Sequence, residues 1–127
     1  MYIQSMDWLV EFHPVFREEF EVLADAVQDE LAAMVELLGL MGPQLKRPRS
    51  DTLNGSTHAN MKELRFDADN GVWRVAYAFD PERKAILLVA GDKSGGSEKR
   101  FYKGLIQRAD ERFSQHLTEL NRTRRKK

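Results

Sequence analysis

Met61-Lys-Glu-Leu-Arg-Phe-Asp-Ala-Asp-Asn-Gly-Val-Trp-Arg-Val-Ala-Tyr-Ala-Phe-Asp-Pro-Glu-Arg-Lys-Ala-Ile-Leu-Leu-Val-Ala90 decides the fold. Three β-prone runs, Met61 to Phe66, Val72 to Phe79 and Lys84 to Ala90, are punctuated by Asp67-Ala-Asp-Asn-Gly71 and Asp80-Pro-Glu-Arg83, both of which are turn chemistry. The spacing predicts an antiparallel meander. Side chains alternate across a strand, so Leu64 and Phe66 fall on one side and Glu63 and Arg65 on the other. Likewise Trp73, Val75 and Tyr77 oppose Val72, Arg74 and Ala76. Arg65 and Arg74 are therefore expected on a shared, exposed face.

Working outward, residues 43 to 60 are rich in turn formers and carry Lys46, Arg47, Arg49 and His58. A loop of that length in a small domain is usually a functional one. Before it, Phe16, Phe20, Leu23, Val27, Leu31, Met34, Val35 and Leu38 recur at three- and four-residue steps, an amphipathic helical pattern that Gly39, Gly42 and Pro43 end. A break into two helices would fall near Leu23-Ala-Asp25, where Asp25 can cap the second. Trp8, Val10 and Phe12 alternate ahead of Pro14, which predicts a first strand near 7 to 12. After Lys93-Ser-Gly-Gly-Ser97, a final helix over about 98 to 120 follows from Phe101, Leu105, Ala109, Phe113, Leu117 and Leu120. The tail from Arg122 to Lys127 has no apolar residue and is expected to be disordered. The order β-α-α-β-β-β-α over residues 1 to 121 predicts one α+β domain, a small, mostly antiparallel sheet with helices on one face.

Length and composition limit the function classes. The chain has 127 residues, 42% hydrophobic and 31% charged, too apolar for a disordered protein and about right for one core. No apolar run exceeds the seven residues from Ala85 to Gly91, and the first residues lack a basic n-region and a cleavage site. A cytoplasmic protein without membrane contact is expected. With zero cysteines and only His13, His58 and His116, no zinc motif forms and no metal site or cofactor is expected. Twenty bases and twenty acids cancel, but unevenly: residues 1 to 43 hold nine acids against Arg17 alone, while nineteen bases oppose eleven acids beyond them. The C-terminal part can thus present a positive surface to a polyanion, although a solvated acidic helix followed by a mixed surface explains the charge equally well.

Two arginines on a sheet, with Lys93 at the end of the last strand and a basic loop beside them, suit a phosphodiester. RNA carries its own nucleophile, the 2′-hydroxyl, so its cleavage needs only a base, an acid and cations for the developing charge. His58 is the natural proton-transfer group at neutral pH; Lys62, Lys93 and Tyr102 could serve only with perturbed pKa values or as charge stabilisers. The bland alternative is a salt-bridged surface, Arg65 with Glu63 or Asp67. Gly91-Asp-Lys-Ser-Gly-Gly-Ser97 lacks phosphate-loop spacing, and no serine elbow supports a hydrolase triad.

Leu53-Asn-Gly-Ser-Thr-His-Ala-Asn-Met-Lys-Glu-Leu-Arg65, with Trp73-Arg-Val75 and Leu87-Leu-Val-Ala-Gly-Asp-Lys93, resembles the HigB-like, phage-derived branch of the RelE/ParE toxin superfamily. Leu38-Gly-Leu-Met-Gly-Pro43 and Arg47-Pro48 extend the likeness upstream. The resemblance implies a RelE-like fold and the toxin of a type II toxin–antitoxin pair that cleaves mRNA on the ribosome. It implies phosphate binding and transition-state stabilisation for Arg65, Arg74 and Lys93, with His58 and Lys62 as proton-transfer candidates. Tyr102 becomes a base-stacking or acid/base group, and Lys46, Arg47, Arg49 and Lys62 RNA contacts. The implied partners are a helix-turn-helix antitoxin, the ribosome and mRNA. Competing readings are a ParE-like inhibitor of DNA gyrase and a non-catalytic phage-derived binding protein of the same fold.

Overall fold

In the computed structural model, which describes residues 7–125, the chain runs β1 (Val10–Phe12), α1 (Pro14–Glu21), α2 (Asp25–Met41), a 3-10 turn (Gly42–Gln44), β2 (Ser50–Thr52), β3 (Lys62–Ala68), β4 (Gly71–Phe79), β5 (Ala85–Asp92) and α3 (Glu98–Arg125). The sheet order is β1-β5-β4-β3-β2, with only the β1–β5 pair parallel. The meander forms as the turn residues dictate. Asp69 and Asn70, with φ of 51° and 60°, make the two-residue β3–β4 link, and they are among the few non-glycine types that adopt positive φ readily. The helix break also falls where expected, between Glu21 and Asp25, though the cap position is Ala24 and Asp25 opens the first turn.

One face of the sheet, through Leu64, Phe66, Val75, Tyr77, Ala85 and Leu87, packs on Phe16, Val27, Leu31, Met34 and Leu38 of α1 and α2. The other, through Ala76, Ala78, Ile86, Leu88 and Val89, packs on Leu105, Ala109 and Phe113 of α3. This corrects the expectation of helices on one face and a polar second face. The four-residue steps of α3 form an apolar stripe that requires an apolar partner. Ala76 and Ala78 admit the helix closely, and each large side chain buried there contributes about 1.5–3 kcal/mol. A bulge at Ala76/Tyr77 lets Leu88 and Val89, neighbours in sequence, both join the α3 core.

Two further boundaries differ from expectation. Ser50–Thr52, read as loop, is an edge strand on β3, and the start of the basic tail, Arg122 to Arg125, continues α3. Lys126, Lys127 and residues 1 to 6, on which the absence of a leader was read, lie outside the described residues. The new strand is anchored by a buried hydrogen bond of 2.6 Å between Ser50 Oγ and the Tyr77 hydroxyl. Tyr77→Phe leaves the serine without its partner and is expected to cost about 1–2 kcal/mol in urea unfolding. Adding Ser50→Ala should recover part of that loss; strictly additive losses would count against a direct bond.

Candidate functional site

Arg65 and Arg74 are directly paired across β3 and β4, and Glu63 lies two residues before Arg65 on the same face. The first turns of α3 lie over this end of the sheet and bring Tyr102 onto the three side chains. Arg65 Nη1 donates to Glu63 Oε2 at 2.7 Å. The Tyr102 hydroxyl donates to Glu63 Oε1 at 2.9 Å and accepts from Arg74 Nε at 3.2 Å. Arg74 Nε also stands 3.9 Å from Glu63 Oε1, and Arg74 Nη1 donates to the Trp73 carbonyl at 2.9 Å. The arginines do share a face, but it is a covered one: the side chains of Glu63 and Arg74 are 3% and 7% exposed, and only Arg65, at 22%, reaches solvent.

A buried carboxylate is tolerable only when paired and hydrogen-bonded, and here two guanidiniums and a phenol meet that need. The two arginines outweigh Glu63 by one positive charge. Burial, and then the Glu63 carboxylate, raise the Tyr102 pKa above that of an ordinary phenol, so the group is a neutral donor at physiological pH.

Glu63, Arg65 and Tyr102 open on a cleft of about 340 Å³ whose far wall is Arg47, Asp51 and Thr52. Arg47 and Arg65 also line an adjoining hollow of about 290 Å³ with Arg74. Arg47 itself is held by Asp51, Nε to Oδ2 at 2.9 Å. Lys46 and Lys62 line a further hollow on the other side of Arg47. Arg49 is exposed and accepts the Arg65 N–H through its carbonyl. Lys93 pairs at 3.2 Å with Glu98, which also lines the cleft. His58 stands apart: its Nε2 is 2.9 Å from Ser114 Oγ and its ring is edge-on to Phe113. Twelve residues separate Tyr102 from Ser114 on α3, about 18 Å at the helical rise.

The structure thus gathers Arg47, Arg65, Arg74 and Tyr102, flanks them with Lys46, Arg49, Lys62 and Lys93, and leaves His58 outside. Sequence reasoning treated Glu63 only as a possible salt-bridge partner for Arg65, and it missed Lys99, Arg100 and Lys103. These exposed cations in the first turns of α3 have no ion-pair partner among the described residues. No group of metal-ligating side chains occurs among the described residues. The set can grip an anion with two or three guanidiniums and move a proton along the phenol–carboxylate pair.

The family model described as "Phage derived protein Gp49-like (DUF891)" matches residues 18–114. A candidate toxin of Mycobacterium tuberculosis (strain ATCC 25618 / H37Rv), HigB2, is 43% identical over 96 residues, covering 75% of this chain. The match spans about half of that relative, 47% of its length. A second from the same organism, HigB3, is 46% identical over 98 residues, 77% of this chain and 82% of the relative. A doubly substituted Escherichia coli toxin RelE in the free state superposes with a TM-score of 0.53 over 80% of this chain and 95% of its own, at 14% identity, which shows a shared fold. The resemblance read from Lys62-Glu-Leu-Arg65 and Trp73-Arg-Val75, and the α+β class it implied, are both borne out.

Proposed function

The chain belongs to the Gp49-like family of phage-derived proteins, and on that premise we propose that it is the toxin of a type II toxin–antitoxin pair, an endoribonuclease that stops translation by cutting mRNA on the ribosome. The observation that carries the reading is the convergence of Arg47, Arg65 and Arg74 on one hollow, which shares Arg47 and Arg65 with the adjoining cleft that holds a neutral phenol and a carboxylate. RNA supplies the nucleophile, so the protein has to bind the phosphate, stabilise the charge that develops on it and manage one proton. Arg65 and Arg47, the accessible pair, meet the phosphate. Arg74 is fixed behind them by the Trp73 carbonyl and Tyr102 and adds its charge at no reorganisation cost.

Lys46, Arg49, Lys62 and Lys93 extend the positive track along which the strand lies, and Lys99, Arg100 and Lys103 add unpaired charge at its rim. His58, in the loop before β3 and bonded to Ser114 of α3, stands too far from the cleft to take part in the proton transfer at the reacting phosphate. The partners are an antitoxin of helix-turn-helix type and the ribosome. Among the described residues no helix is long and apolar enough to cross a membrane.

Primer-extension mapping on a translated mRNA tests this. The wild type should give codon-phased, ribosome-dependent cuts, and Arg65→Ala should weaken them about 10²–10³-fold, the usual loss of one transition-state donor. Intact mRNA in the presence of a folded, growth-inhibiting wild type would overturn the RNase reading.

A further inference from the structure

Of the run Asn54-Gly-Ser-Thr-His58, only Asn54 lines the cleft; the rest of the loop lies along α3. Asp110 Oδ1 accepts the Ser56 hydroxyl, and Oδ2 accepts the Thr57 N–H at 2.9 Å and the Thr57 hydroxyl at 3.1 Å. Ser56 Oγ in turn accepts the His58 N–H at 2.9 Å, and the His58 ring is bonded to Ser114. Both ends of the loop are pinned as well. Leu53 and Met61 are buried in the α3 core, and the Leu53 N–H donates to the Met61 carbonyl at 2.8 Å.

We infer that Asp110 is a positioning residue for RNA cleavage: by clasping Ser56 and Thr57 it ties loop 53–60 to α3, and so holds the Arg47 wall of the cleft opposite Tyr102. The inference rests on the RNase reading above and adds to it a residue that lies outside the cleft.

Two features give the clasp this role. β2 is an edge strand of three residues, and the chain leaves the sheet after Thr52, so the loop and not the ladder places Leu53 and Asn54 at the cleft. Tyr102, Ile106, Asp110 and Ser114 follow at four-residue steps on α3, so one helix face carries one wall of the cleft and the anchors of the other. Gly55 passes beside that face, where a Cβ would stand 3.9 Å from Ile106 Cδ1. From the loop the link runs back through β2 to Asp51, which holds Arg47 Nε at 2.9 Å. A loop that shifts therefore moves the guanidinium that meets the phosphate, and a misplacement of about 1 Å costs up to about 100-fold in rate.

The test is single-turnover cleavage of ribosome-bound mRNA, with saturating rate and half-saturating concentration read separately and the active fraction taken from the amplitude. Asp110→Ala should lose at least about tenfold in saturating rate, while half-saturation changes less than about threefold. Ser56→Ala combined with Thr57→Ala opens the clasp from the other side and should lose rate in the same way; it carries the test if Asp110→Ala does not fold. In an Arg47→Ala background, opening the clasp should cost no more than about threefold further, because the group it positions is gone. A clasp that only stabilised the fold would lower the amplitude and leave the rate of the active molecules intact. The idea falls on that result, on any loss of saturating rate below about tenfold in a wild type that itself cuts, or on losses that multiply in full with Arg47→Ala. A wild type that does not cut removes the RNase reading, and the positioning role with it.

Discussion

Gly42→Ala is expected to lower the thermal midpoint by about 10 °C or more. Gly42 closes α2 with φ of 57° and ψ of −139°, a combination essentially reserved for glycine. A Cβ there would stand 2.6 Å from Trp8 Cδ1 and closer still to the indole nitrogen. The ring has little room to retreat, since it is edge-on to Phe79 at 5.4 Å and lies under the Arg83 guanidinium at 4.5 Å. Backbone strain of about 1–3 kcal/mol and overpacking of about 1–3 kcal/mol add at this one site. At about 4 °C per kcal/mol for a chain of this size, even a sum of about 3 kcal/mol, in the lower half of that range, gives the stated fall. Gly39→Ala is the control. It lies inside α2 with its nearest neighbour, the Trp8 carbonyl, at 3.4 Å, and should be neutral or slightly stabilising. Equal melting of the two variants would show that the Gly42 conformation is not required.

Asp80→Ala should cost about 3 kcal/mol, and it should do so only at pH values where the wild-type carboxylate is ionised. The side chain is fully buried in the β4–β5 turn. Oδ1 accepts the N–H groups of Glu82 and Lys84 at 2.9 and 3.0 Å, and Oδ2 meets His116 Nε2 at 2.8 Å. Burial pushes this carboxyl up, but the His116 ring and the two backbone donors more than offset it and hold the group below its ordinary pKa. A carboxyl whose pKa is depressed on folding contributes stability above its unfolded value, about 3.9. That contribution is lost as pH falls through the folded value. The gap between the wild type and Asp80→Ala should therefore be fully present above about pH 5 and narrow as the pH falls below about 4. A gap that stayed constant down to pH 3 would mean that the turn is held by shape and not by charge.

Much of the fold was legible because its signals were local. The β3–β4 turn was readable from Asp69-Asn70, whose positive φ those residue types tolerate. The helix break was readable from the interruption near Leu23. The second core was harder to see. The run from Ala85 to Ala90 is apolar at every position, which marks a strand buried on both faces, yet it was read only as a strand of the meander. Ser50–Thr52 has no apolar residue to reveal it, and it becomes a strand only because β3 offers an edge.

The site was legible to the same degree. Period-two alternation placed Arg65 and Arg74 together, but exposure depends on α3, whose position no strand pattern reports. Glu63 had a signal within reach. A carboxylate two residues before an arginine on one strand shares its face, and its burial beneath Tyr102, 39 residues on, is a tertiary fact.

The parallel pairing of Val10 with Ala85 sets the order of synthesis against the order of assembly. α1 and α2 leave the ribosome before the sheet they are to cover exists, and β1 has no partner until β5 emerges. Tyr102 comes later still. At about 5–20 residues per second, the interval between Met41 and Tyr102 lasts about 3–12 s. Throughout it the apolar side of α2 lies open to chaperones, and the cleft has no phenol and no helix above Arg74. The non-local strand pairing that slows folding thus also works as a delay, because a growing chain gains its complete site only once Tyr102 and the helix that carries it have been made.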